Sequence, residues 1–156
     1  MPMNSIALLQ TLLQRAEAER DNALAVMRQA EALVQQAQQQ AQQLQGYRTE
    51  YDQRWTTRFQ EHGTTELLHC HRGFGQRLDH AISMQLTNTS QLSNRVQQAR
   101  DTLLAREMRV AGVRKLIERR QGELAKMAAR RDQRQTDEAA QRASAHRIHP
   151  LAAQPN

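Results

Sequence analysis

Residues 61–75 read EHGTTELLHCHRGFG, and they separate two long stretches whose apolar residues are spaced three and four apart. Gly63 follows the first stretch, at a place where glycine commonly closes a helix. Thr64 or Thr65 stands where a short hydroxyl side chain caps the next helix. Glu66 falls in the first turn of that helix, where a carboxylate complements the free amides. Gly73 and Gly75 weaken helix, by about 1 kcal/mol each relative to alanine, so local irregularity is expected at 72–75. Such a break between two apolar seams predicts a chain that turns back on itself.

Upstream of the break, Ile6, Leu9, Leu13, Ala16, Arg20, Ala23, Met27, Ala30, Val34, Ala37, Ala41, Leu44, Arg48, Tyr51 and Trp55 share one register. Thirteen of these 15 are apolar or aromatic, which is coiled-coil spacing held over many turns. Ala16, Ala23, Ala30 and Ala37 recur every seven residues along one edge, where small side chains admit a close partner helix. The glutamine-rich tract QQAQQQAQQLQ (35–45) keeps the seam through Ala37, Ala41 and Leu44, and glutamine is a good helix former. Downstream, Leu78, Ile82, Gln85, Thr89, Leu92, Val96, Ala99, Leu103, Arg106, Val110, Val113, Ile117, Arg120, Leu124 and Met127 repeat the pattern, with 11 of 15 apolar.

The expected fold is therefore all-α: an antiparallel two-helix coiled coil. Helix 1 is expected over about 5–61, the turn over about 62–65, and helix 2 over about 66–142, with Asn4 or Ser5 capping helix 1. Residues 143–156, with Pro150 and Pro155, are expected to form a disordered tail. A turn near Gly63 would set Ile6 opposite roughly Leu124, leaving the basic stretch KMAARRDQRQTDEAAQR (126–142) as a helix without a partner.

Composition limits the function. The net charge of +6 is concentrated in residues 95–147, which carry 14 Lys/Arg against seven Asp/Glu, so an acidic partner surface is favoured. No run of 18 apolar residues exists, and the first residues lack the positively charged start and cleavage site of a secretory signal. With Cys70 alone no internal disulfide can form, which fits a reducing, cytoplasmic setting. His69, Cys70 and His71 lack the spacing and ligand number of a zinc site and read as solvated turn residues. No phosphate loop, acid pair or nucleophile set is present, so neither catalysis nor a cofactor is expected. The arginine-rich stretch 106–121 lacks interleaved aromatics and lies inside the seam, which speaks against nucleic acid.

The aromatics are the remaining anomaly. Tyr47, Tyr51, Trp55 and Phe59 stand four apart, and Phe74 is the fifth and last. A step of four on a helix drifts about 40° around the axis, so the stripe crosses the seam diagonally and one partner helix cannot bury all of it. Exposed rings beside an apolar seam suggest a binding surface.

YRTEY (47–51), FGQRLDHAISMQ (74–85) and RRDQRQTDEAAQR (130–142), in that order and at that spacing, resemble the FliJ family. Its members are small coiled-coil components of the bacterial flagellar type III export apparatus, and the likeness runs over nearly the whole chain. The resemblance implies an antiparallel hairpin similar to the stalk of a rotary-ATPase gamma subunit. It also implies a cytoplasmic protein held at the inner face of the membrane at the flagellar base. Implied partners are the hexameric export ATPase FliI with its regulator FliH, the export gate protein FlhA, and export chaperones, with the membrane reached only through the gate. Carried over by position, the gate-facing patch comprises Gln40, Leu44, Tyr47, Tyr51, Phe74, Leu78, Ala81 and Gln85. Trp55 and Phe59 would then finish the coil. The ring-facing candidates are the first turns around Ile6–Leu13 and, near the other chain end, Arg130, Arg131, Arg134 and Arg142. A general scaffold or chaperone of another secretion system is the alternative, followed by a basic nucleic-acid-binding helical protein.

Overall fold

The computed structural model describes residues 2–152, and the side chains of residues 5–147. They form two helices, α1 (Pro2–His62) and α2 (Thr65–Ala152), with no strand among the described residues. Gly63 and Thr64 make the whole turn. Thr64 is the cap: its hydroxyl accepts from the Leu67 amide at 3.2 Å, and its carbonyl accepts from the Leu68 amide at 3.1 Å. Gly63 is not in the left-handed region. Its glycine identity follows from crowding instead, since a Cβ there would lie 2.8 Å from the Phe59 carbonyl oxygen and 3.0 Å from the Phe59 ring.

The chain divides into two compact units. One comprises residues 17–107, and within it α1 and α2 run antiparallel from the turn. Its buried centre is Ala23, Ala37 and Ala41 against Val96 and Leu103. The other comprises residues 1–16 and 108–156, where Ala16 is buried with Val110 and Ile117. In both, the small residues come from α1 and the larger ones from α2. All 15 positions of the first seam are buried or half-buried, as are all of the second except Met127. The charged and polar seam members are bonded rather than stranded, as burial requires. Arg106 donates to Glu19 at 3.4 Å, and Gln85 donates to the Ala37 carbonyl at 3.1 Å.

Two details differ from expectation. In the unit that contains it, Arg120 donates to the Ser5 hydroxyl at 3.2 Å, so Ile6 is level with about Arg120 and not Leu124. The midpoint of the Ser5–Arg120 pair falls between residues 62 and 63, which sets the register about one helical turn from the expected one. α2 runs through 72–75 without a break, because Gly75 serves a close approach described below. α2 is described as far as Ala152, and residues 153–156 of the expected C-terminal tail lie outside the described residues. Side chains 125–147 are all exposed.

Candidate docking face

The eight residues of the expected gate-facing patch lie within the unit spanning 17–107. They step along α1 at 40, 44, 47 and 51, and back along α2 at 85, 81, 78 and 74, with intervals of four, three and four on each helix. At one end, Gln85 Nε2 donates to Gln40 Oε1 at 3.2 Å. At the other, the rings of Tyr51 and Phe74 meet with centroids 4.7 Å apart, tilted by 56°. The residue numbers of these two pairs add to the same value, and so do those of Leu44 with Ala81 and Tyr47 with Leu78. An antiparallel pair held in constant register therefore sets the eight residues as four successive rungs. Leu44, Leu78 and Ala81 are half-buried, whereas Tyr47 is 58% exposed and Phe74 43%. The rungs thus offer a ringed, partly apolar ladder with amide groups at one end.

The other aromatics close the coil near the turn. His71 lies between two rings: its centroid is 5.0 Å from that of Tyr51 and 4.2 Å from that of Trp55, nearly parallel to both. Phe59 extends the stack, 5.6 Å from Trp55. His69 and Cys70 are exposed as expected, but all three residues lie in α2 and not in the turn, and His71 is half-buried. Its side chain is 16% exposed, its Nδ1 is buried without a hydrogen-bond partner, and its Nε2 is 3.9 Å from Asp52. The signal was available: carrying the second register back from Leu78 by three, four and three reaches Gly75, His71 and Leu68, so the seam begins earlier than its aliphatic members suggest.

Arg48, a charged seam position, finds its place against Gly75. Its guanidinium donates to Asp79 at 2.9 Å and to Asp52 at 2.7 Å. A Cβ on Gly75 would lie 3.0 Å from both terminal nitrogens of that guanidinium. The glycine is therefore a slot for an arginine from the opposite helix.

The two flanks of the seam differ. Residues just after a seam position carry ion pairs, as with Glu31 to Arg100 at 3.1 Å and the Asp52–Arg48–Asp79 set. Residues just before a seam position include Val26, Leu33, Gln40 and Tyr47, every seven residues, with Val26 51% and Leu33 42% exposed. Gln40, Tyr47, Phe74 and Ala81 of the ladder lie on this second flank, and Leu44, Tyr51, Leu78 and Gln85 lie in the seam itself. Arg130, Arg131, Arg134 and Arg142 are all exposed on α2, Arg142 with a long contact of 3.9 Å to Glu138. No grouping of three or more metal-ligand side chains occurs among the described residues. None of the helices is long and apolar enough there to cross a membrane.

Two long helices that bury a shared heptad seam define the class as a two-helix coiled-coil protein. The family model described as flagellar FliJ protein matches residues 5–148, nearly the whole chain, and the protein belongs to the FliJ family. It is thereby a flagellar export-related protein of a non-catalytic family. Comparison with curated proteins and with solved structures finds no match.

Proposed function

We propose that this protein links the export ATPase to the export gate during secretion of flagellar proteins, docking on the gate protein FlhA through the four-rung ladder. The observation that carries this reading is the ladder itself. Eight residues taken from two distant stretches of sequence fall into four pairs of one register, with the exposed Tyr47 and Phe74 rings among them. Aromatic side chains presented this way supply contact area at small entropic cost, as hot-spot residues do. The ring-facing element is the exposed basic stretch of α2 with Arg130, Arg131, Arg134 and Arg142, which contacts FliI, with FliH as its regulator. Long charged side chains make replaceable polar contacts, suited to one asymmetric stalk inside a sixfold ring. Export chaperones are further partners of the same apparatus, and the protein is held at the membrane only through the gate.

The test is paired. Tyr47→Ala with Phe74→Ala impairs flagellar secretion and binding to FlhA, while the thermal midpoint changes little because both rings are exposed. Replacing the four arginines with glutamate abolishes co-purification with FliI and leaves helicity intact. A large stability loss in the first variant would make the rings core, and unchanged co-purification in the second would remove the ring contact.

A further inference from the structure

Beside the turn lies a groove of about 640 Å³ that shares only Tyr51 with the ladder. Trp55, Phe59 and Leu67 line it together with Cys70 and the stacked Tyr51 and His71 rings. That volume falls in the range of built binding sites, about 300–1,000 Å³. Arg54 and Arg58, one helical turn apart, stand at it. Neither has an ion-pair or hydrogen-bond partner among the described residues. Arg48, one turn further on, has two carboxylates. Glu61 is the single carboxylate of the lining, so the groove is apolar within and positive in balance. Tyr51 belongs both to the groove and to the ladder, so the two surfaces are continuous.

We propose that this groove is a second docking site, which takes the apolar anchor residues of an acidic peptide segment on a protein partner. Trp55 and Leu67 receive the anchor, and Arg54 and Arg58 pair with carboxylates one turn apart on the incoming segment. The proposal stands on the groove's own shape and charge, and it does not require that the ladder bind the gate.

Two native reporters sit in the groove: Cys70, the chain's single cysteine, and Trp55, its single tryptophan. The probe is a glutamate-rich peptide with leucines spaced three and four apart, compared with the same peptide bearing lysine for every glutamate. At a concentration about ten times its Kd, the acidic peptide slows alkylation of Cys70 by about tenfold, since only the free protein reacts. Trp55 emission shifts in parallel, the lysine peptide does neither, and added salt weakens the effect. Arg54→Glu with Arg58→Glu loses the protection while circular dichroism is unchanged. Tyr47→Ala keeps it, which separates this site from the ladder. Equal protection by both peptides, no protection by the acidic one, or full protection of the double variant overturns the proposal.

Discussion

At the scale of single residues, glycine substitutions separate slot from spacer. Gly46 and Gly112 lie in helix interiors with nothing within 4 Å of the place a methyl group would take, so alanine there gains helix propensity without a clash. Gly46→Ala and Gly112→Ala are each expected to stabilise by about 0.5–1 kcal/mol, read as a higher thermal midpoint. Gly75→Ala gains the same propensity, but it must push the Arg48 guanidinium off Asp52 and Asp79. Those partly exposed ion pairs are worth about 0.2–1 kcal/mol, so the two effects nearly cancel and the midpoint stays close to the parent. If Gly75→Ala stabilised as much as Gly112→Ala, the slot would have no energetic content. The cap is open to a similar comparison. Thr64→Ala should cost about 1 kcal/mol and Thr65→Ala much less, because Thr64 alone accepts the Leu67 amide. Both threonines fit the pattern of a cap, and only the geometry of a two-residue turn selects between them.

At the scale of elements, the pairing is a division of labour by size. Ala16, Ala23, Ala37 and Ala41 of α1 are buried, and so are Val96, Leu103, Val110 and Ile117 of α2. Small residues on one helix draw the other close, and the larger ones fill what remains. Ala37→Leu therefore overpacks the seam and should destabilise by roughly 1–3 kcal/mol. Ala32→Leu, on an exposed face, should leave the urea midpoint near the parent. Equal midpoints for the two would contradict close packing at Ala37. The seam was legible from spacing alone because burial in a two-helix coil depends on heptad position, whichever residue stands there. Arg20, Arg48, Arg106 and Arg120 kept their seam places for that reason. Spacing did not convey where the second seam begins. Gly75 and His71 occupy it with side chains that carry no hydrophobic signal, and their meaning comes from Arg48, Tyr51 and Trp55 on the other helix. The eight residues of the proposed ladder were named through family resemblance alone, while their rung order depends on a register that the fold-back point sets.

At the scale of the whole molecule, the seams are satisfied within one chain. In the unit of residues 17–107, Glu31 meets Arg100 and Glu19 meets Arg106; in the other, Ser5 meets Arg120. Side chains 125–147 are all exposed, and they carry six Lys/Arg against three Asp/Glu. Helix of that kind opens easily in water, so trypsin should cut first after Arg130, Arg131, Arg134 or Arg142. The remaining fragment should unfold at the parent midpoint, since no seam contact is lost. Early cuts among the arginines of residues 95–120 would mean that the paired region opens as readily. The same seams could in principle join two chains, and the two cases differ in how unfolding depends on concentration. A chain that buries its own seam unfolds in a unimolecular step, so its midpoint is independent of protein concentration. A pair zipped from two chains gains stability by mass action as concentration rises. The expected result is a flat midpoint over a wide concentration range, with light scattering reading the monomer mass of 17.9 kDa. A midpoint that climbs with concentration, together with twice that mass, would transfer the Glu31–Arg100 and Ser5–Arg120 contacts from within one chain to between two. The ladder would then be built from α1 of one chain and α2 of the other, and a docking partner would meet it twice on each dimer.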